Sequence, residues 1–244
     1  MPLRIGFDLD GTVADMYSAL HTEALALFGD KVLARSANKK APPAAEGAEK
    51  PPEKTASNPT TLAMNELHLT SSEQDRLWNH VSKIENFWTT LPEMEPGIIA
   101  RIAKTAAERQ WEIIFLTTRP PTAGELTQLQ SQRWLDAHGF RYPSVMVVQR
   151  SRGRIADALQ LDAFVDDRLE NCLDLAVESQ AKVILMWHGH LNDVPAGAKR
   201  LGVQAVTKIS DAVDLLERLD DLRNKPGFMR KIRRALGGGD DGEV

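Results

Sequence analysis

The chain has a single cysteine, Cys172, in 244 residues. One thiol makes no internal disulfide, so the fold cannot lean on a cross-link, and a reducing compartment is the expectation. No apolar run is long enough to cross a bilayer. No basic leader with a long apolar stretch precedes the first apolar segment at Leu3, so the expected location is cytoplasmic. Neither charge sign dominates. A net charge of −4 excludes whole-molecule attraction to nucleic acid or to an anionic membrane surface. No internal repeat is visible, and no lysine lies between Thr118 and Asp166. What remains is an ordinary globular composition, 42% hydrophobic and 26% charged, with enough chain for one large domain or a core carrying an inserted lobe.

The pattern predicts a buried strand over Leu3 to Leu9 and a helix from Asp15 to Phe28, with Met16, Leu20 and Leu27 on one face. From Ser36 to Thr61 the composition turns to Ala, Pro, Lys and Glu, too poor in apolar residues to offset its ordering entropy; positions 36–61 are expected to be a disordered insertion. Thr70 and Glu73 have the spacing of a capping box, and Leu77, Val81, Ile84 and Trp88 continue a helical stripe towards Pro92. After Pro96-Gly97 apolar strands alternate with amphipathic helices, including a short helix over Arg154 to Leu159. This alternation predicts an α/β fold with a doubly wound parallel sheet covered on both faces. The stretch between the first strand and Pro96 interrupts it. The expected organisation is therefore a core over 1–14 and 93–222, a helical cap over 15–92 inserted after the first strand, and a basic helix with a flexible tail over 223–244.

Polar residues punctuate the carboxyl ends of the predicted strands, where ligands gather in open parallel sheets. The first strand ends in Asp8-Leu9-Asp10, whose carboxylates leave the strand on one side. A second ends in Thr117-Thr118-Arg119, and a third in Asp166-Asp167, with Arg150, Arg152 and Arg154 between them in sequence. Acids at the end of a buried strand are costly unless something compensates them; a divalent metal ion does so, and a metal beside a free carboxylate suits phosphate chemistry.

The ordered series DLDGT, LTTRP and FVDD resembles the haloacid dehalogenase superfamily of phosphotransferases, over essentially the whole chain outside the Pro-rich insertion and the tail. More narrowly, DLDGTVAD, FWTTLPEMEPG and FVDDRLEN are similar to the 5′(3′)-deoxyribonucleotidase branch. The resemblance implies a Rossmann-like core and a phosphomonoester hydrolase that works through an aspartyl-phosphate. It assigns Asp8 as nucleophile, Asp10 as acid and base, and Thr117 as a hydroxyl donor to the phosphoryl group with Thr118 beside it. It implies Mg²⁺ held by Asp8, Asp10 through its backbone carbonyl, Asp167 directly, and Asp166 directly or through water. Most relatives place a lysine between the second and last motifs. Here Arg154 is the first expected substitute and Arg152 the second. Phe87 and Trp88 are candidate platforms for a nucleobase, although Trp88 also completes the apolar stripe. Arg119 either touches substrate or pairs with a neighbouring acid. His188 and His190 read as loop residues. The expected partner is a small phosphorylated substrate, first a nucleotide and second a sugar phosphate, with a homodimer left open; a phosphate-binding interaction protein is the non-enzymatic competitor. The basic stretch from Phe228 reads first as a helix packed on its own domain.

Overall fold

The computed structural model describes residues 2–29 and 69–224. The Pro-rich insertion at 36–61 and the basic stretch from Phe228 lie outside them. Six strands make one parallel sheet: β1 (Arg4–Asp8), β2 (Glu112–Thr117), β3 (Ser144–Val147), β4 (Ala163–Asp166), β5 (Lys182–Met186) and β6 (Gln204–Val206). Their spatial order is β3-β2-β1-β4-β5-β6. The chain winds outward from β1 in both directions, which leaves a crevice at the carboxyl ends of β1 and β4.

The described helices are α1 (Met16–Phe28), α2 (Ser71–Val81), α3 (Ile98–Arg109), α4 (Thr127–Ala137), α5 (Arg152–Ala158), α6 (Leu169–Glu178), α7 (Ala196–Arg200) and α8 (Ile209–Asn224). Alternate strand residues feed two buried apolar clusters. Val165, Ile184 and Met186 enter one, with Ile5 and Phe7; Phe164, Val183 and Leu185 enter the other. This is the doubly wound α/β arrangement, with both faces of the sheet covered. The clusters explain why the strands read as unbroken apolar runs.

The register aligns the strand tips. Asp8 stands level with Leu116 of β2, and Phe7 with Val165 of β4, so the next step brings Asp8 beside Asp166. The chain then turns sharply. Gly11, at φ 80°, lies where an added Cβ would come within 2.0 Å of the Asp167 carboxylate. Only glycine supplies both the left-handed backbone and the room.

Residues 13–15 and 92–94 run side by side. Asp15 N–H donates to the Pro92 carbonyl and Met94 N–H to the Val13 carbonyl, each at 2.9 Å. Between them, α1 and α2 pack their buried Leu20, Ala24, Leu77 and Val81 into the same cluster as β1. The Thr70 capping box forms: Glu73 N–H donates to Thr70 Oγ1 at 3.3 Å and the Thr70 N–H to Glu73 Oε2 at 2.8 Å. The stripe from Leu77 to Trp88 is not one helix. It breaks after Val81, and Asn86 takes a left-handed φ of 53° before a 3-10 turn over Phe87–Thr89. That turn is tied to α4, where the Trp88 N–H donates to Gln130 Oε1 at 3.1 Å.

Candidate active site

Asp8 is 5% exposed. Its Oδ2 accepts from the Asp10 N–H at 3.0 Å, and its Oδ1 accepts from Nη2 of Arg152 at 2.7 Å. Arg152 is itself buried, and its other terminal nitrogen, Nη1, has no hydrogen-bond partner. The same guanidinium lies 3.9 Å from Asp166 through Nε. A buried carboxylate is thus held against a buried cation that still has a donor to spare.

Of the two arginines considered for this position, the structure seats Arg152 and not Arg154. The Arg154 side chain is 80% exposed and stands 3.7 Å from Glu178. The cause is the start of α5, two residues earlier than the sequence pattern indicated. Ser151 caps it by accepting from the Arg154 N–H, and Asp174 of α6 accepts from Ser151 Oγ and from the Gly153 N–H, both at 2.8 Å. Gly153 lets α5 lie directly on α6, since a Cβ there would meet the Asp174 carbonyl oxygen at 2.5 Å. With that contact made, Arg152 turns inward.

Asp10 is gripped from the β2 side. Arg119 Nε donates to both of its oxygens at 2.9 Å, and Thr117 Oγ1 donates to Oδ2 at 3.1 Å. The Arg119 side chain is fully buried; Nη1 donates to Ser131 Oγ at 3.0 Å, and the guanidinium carbon lies 4.9 Å from the Trp88 ring centroid and 5.9 Å from that of Trp134. Arg119 therefore takes the second of its two expected roles, pairing with an acid. The Thr117 hydroxyl is committed to Asp10 and to the Arg119 N–H. Thr118 is exposed at the tip.

Phe87 and Trp88 are buried in the core. They are 2% and 0% exposed, and the Trp88 indole N–H donates to the Pro120 carbonyl at 2.9 Å. Their burial, with Trp88 beneath Arg119 and Phe87 packed on Trp88, leaves neither ring face open for base stacking. Trp78, one turn before the end of α2, is half-buried and lines a groove of about 520 Å³ with Val81, Pro120, Pro121 and Thr122.

The Asp-Asp pair divides its work. Both oxygens of Asp166 have partners: its Oδ1 accepts from the Arg168 N–H at 2.8 Å, and Asn171 Nδ2 reaches both oxygens at 3.1 and 2.9 Å. Asp167 accepts from the Tyr17 hydroxyl at 2.6 Å on Oδ2, while its Oδ1 is buried without a partner. Two groups here, Tyr17 and Asn171, were not marked by the sequence, and His188 was read there only as a loop residue. Tyr17 and His188 carry no local signal for their role, since their contacts are with residues 150 and 177 positions away. Asn171 has a weak one, lying within the first turn of the helix that follows the acids.

Burial pushes the proton affinities of Asp8 and Asp167 well above the usual carboxylate range, and the charge on Asp166 adds to both shifts. Arg152 opposes the shift at Asp8, and the Tyr17 hydrogen bond opposes it at Asp167. Asp166 is raised by burial too, against Arg152, the Arg168 N–H and Asn171. Burial also raises the Cys172 thiol, which is inert in consequence. The orphaned Asp167 Oδ1 and these proton-hungry neighbours fit a divalent cation. Among the described residues no three histidine, cysteine or acidic side chains are grouped to hold an ion by themselves. Two carboxylates, Asp8 and Asp167, would need a backbone oxygen as well, in keeping with the Asp10 carbonyl implied by the resemblance.

No protein-family model and no curated protein sequence matches the chain. Solved structures with a loosely similar outline include a candidate beta-phosphoglucomutase from Thermotoga maritima, 15% identical over 88% of this chain and 99% of that one, with a TM-score of 0.48. A HAD-family hydrolase from Deinococcus radiodurans with bound phosphate and sodium is 12% identical over 89% and 96% of the two chains, with a TM-score of 0.48. A haloacid dehalogenase-like hydrolase from Xanthomonas campestris is 15% identical over 90% and 96%, with a TM-score of 0.45.

Proposed function

We propose that this chain is a phosphomonoester hydrolase of the haloacid dehalogenase superfamily, with Asp8 as nucleophile and Mg²⁺ as cofactor. The observation that carries this reading is the buried Asp8–Arg152 pair at 2.7 Å, in which Arg152 Nη1 has no partner. A phosphoryl group placed there meets an attacking carboxylate oxygen and a spare charged donor together. In the first displacement an Asp8 oxygen attacks phosphorus, the ester P–O bond breaks, and Asp10 gives a proton to the departing alkoxide. In the second, Asp10 takes a proton from water, the water oxygen attacks phosphorus, and the bond to Asp8 breaks to release phosphate. Thr117 and Arg119 fix the Asp10 carboxylate for both transfers. Arg152 balances charge on Asp8 and on the transferring group. A cation held by Asp8, Asp167 and the Asp10 carbonyl would neutralise Asp8 against an incoming dianion and polarise a phosphoryl oxygen.

The experiment is phosphate release from a panel of phosphomonoesters by the purified chain with Mg²⁺. Turnover that chelation with EDTA stops is the expected result. Absence of turnover on every member by a folded, Mg²⁺-supplied chain would replace the enzyme with a phosphate-binding protein.

For the leaving group we propose a nucleoside monophosphate, with Trp78 replacing the two buried aromatics as the flat surface. The groove beside Pro120–Thr122 directly follows the β2 tip in sequence, is mostly apolar, and has the volume of a small-ligand pocket. Trp78→Ala is expected to raise KM for nucleotide substrates about 10-fold, in line with the ~1–3 kcal/mol of a base–aromatic stack, and to leave a small aliphatic phosphate unaffected. Equal effects on both would move the substrate class to sugar phosphates or other small metabolites.

Cation binding also has a pH signature. Asp8, Asp166 and Asp167 have folded-state proton affinities raised above ordinary carboxylates, so their stabilising contribution is greatest at low pH and is lost as pH rises through the raised values. Across that window a cation replaces the lost protons. Mg²⁺ is therefore expected to raise the melting temperature more at pH 7.5 than at pH 5, by about 3 °C or more, as read by calorimetry. An increment that shrinks with rising pH would place the cation elsewhere.

A further inference from the structure

Asp167 is held in an asymmetric way. Its Oδ2 accepts from the Tyr17 hydroxyl at 2.6 Å, and its Oδ1 is buried and unpartnered. Tyr17 belongs to α1, the first helix after the β1 turn, so the phenol comes from outside the strand tips. His188, just past β5, braces it. The two rings meet edge-on with centroids 5.8 Å apart and planes at 80°. His188 Nε2 lies 2.8 Å from the Gly11 carbonyl oxygen and 3.9 Å from Asp167 Oδ2. A carbonyl only accepts, so the His188 Nε2 carries the proton and ties the imidazole to the Gly11 turn. Gly11 in turn leaves room for both groups, because a Cβ there would come within 2.0 Å of Oδ2 and 2.6 Å of the phenol oxygen.

We propose that Tyr17, braced by His188, makes Asp167 a one-oxygen ligand and thereby sets the preference of the site for a small cation such as Mg²⁺ over Ca²⁺. This rests on the cation-assisted reading above. The chemistry follows from the two ions. Mg²⁺ demands six oxygens in near-octahedral geometry and takes carboxylates through single oxygens, whereas Ca²⁺ accepts six to eight at longer distance and readily takes a carboxylate through both. The phenol holds Oδ2 and fixes the plane of the carboxylate, so the unpartnered Oδ1 is the oxygen offered first to an ion. Without the phenol the carboxylate is free to rotate and chelate. Groups that orient a ligand in this way typically change metal affinity about 10–100-fold when removed. Tyr17 and His188 act through Asp167 and the Gly11 turn and are positioning residues.

The test measures Mg²⁺ and Ca²⁺ affinities of the metal-free full-length chain by titration calorimetry, without substrate. Tyr17→Phe keeps the ring and removes the hydroxyl. It is expected to lower the Mg²⁺-to-Ca²⁺ affinity ratio at least 10-fold, mainly by weakening Mg²⁺, and His188→Ala should move the ratio the same way by a smaller factor. Asp167→Asn in parallel should abolish binding of both ions. If the wild-type chain binds Mg²⁺ through Asp167 but both variants keep the wild-type ratio, the selectivity role is overturned while the cation reading stands. If the wild-type chain binds neither ion, or Asp167→Asn binds as well as wild type, both fall together.

Discussion

Asp8→Asn is expected to reduce phosphate release by at least about 10³-fold while leaving the far-UV dichroism spectrum and the melting temperature close to wild type. Asparagine keeps the shape of the side chain, and its carbonyl oxygen can still accept from the Asp10 N–H, as Asp8 Oδ2 does at 3.0 Å. What it lacks is a charged oxygen able to form a bond to phosphorus. The effect on folding is small because two changes oppose each other. Arg152 loses its closest anion, at 2.7 Å, which is costly for a buried guanidinium. The cluster also loses a buried charge that burial and Asp166 both disfavour. Phosphate release and thermal unfolding, measured on one preparation, decide the matter. Substantial turnover by a folded Asp8→Asn protein would take the nucleophile role away from this residue.

The second large effect separates two arginines that are near neighbours in sequence. Among the described residues, Arg152→Ala removes the one cation within 4 Å of Asp8 and leaves Asp166 with only neutral hydrogen-bond donors. Losing one partner of a buried ion pair typically costs about 3–5 kcal/mol, and losing a preorganised donor to developing charge costs about 10²–10³-fold in rate. Arg152→Lys retains the charge without the fork that spans Asp8 and Asp166, so it is expected to restore folding and part of the rate. Arg154→Ala should change stability by less than about 0.5 kcal/mol and leave turnover unaltered, because its side chain faces solvent and Glu178. Denaturant unfolding and steady-state rates for the three variants give a clear pattern. A larger rate loss in Arg154→Ala than in Arg152→Ala would reverse the assignment.

The ease with which each residue could be placed from sequence depended on how local its determinants were. Asp8, Thr117 and Asp166 each end an apolar run, with Asp10 two residues beyond the first, and such runs form strands whose carboxyl ends meet in a parallel sheet. Choosing between Arg152 and Arg154 required knowing that Gly153 presses on the Asp174 carbonyl of a different helix. The aromatic platform was misplaced for a similar reason. Periodicity carries the stripe from Leu77 to Trp88, but a left-handed Asn86 precedes a turn that buries Phe87 and Trp88, the latter under Arg119, and leaves Trp78 beside the groove. Tyr17 and His188 owe their positions entirely to tertiary packing.

Leu20, Ala24, Leu77 and Val81 belong to the same hydrophobic cluster as Ile5 and Phe7. The two crossing points at Val13–Asp15 and Pro92–Met94 look on paper like convenient scissor marks for a chimera. A graft cut there would uncover several side chains at once, each worth roughly 1.5–3 kcal/mol when fully buried. It would also carry off Trp88, which supports the guanidinium that grips Asp10. The segment is therefore a poor interchangeable cassette: swapping it for a foreign one would loosen the scaffold and disturb the proton-handling acid together.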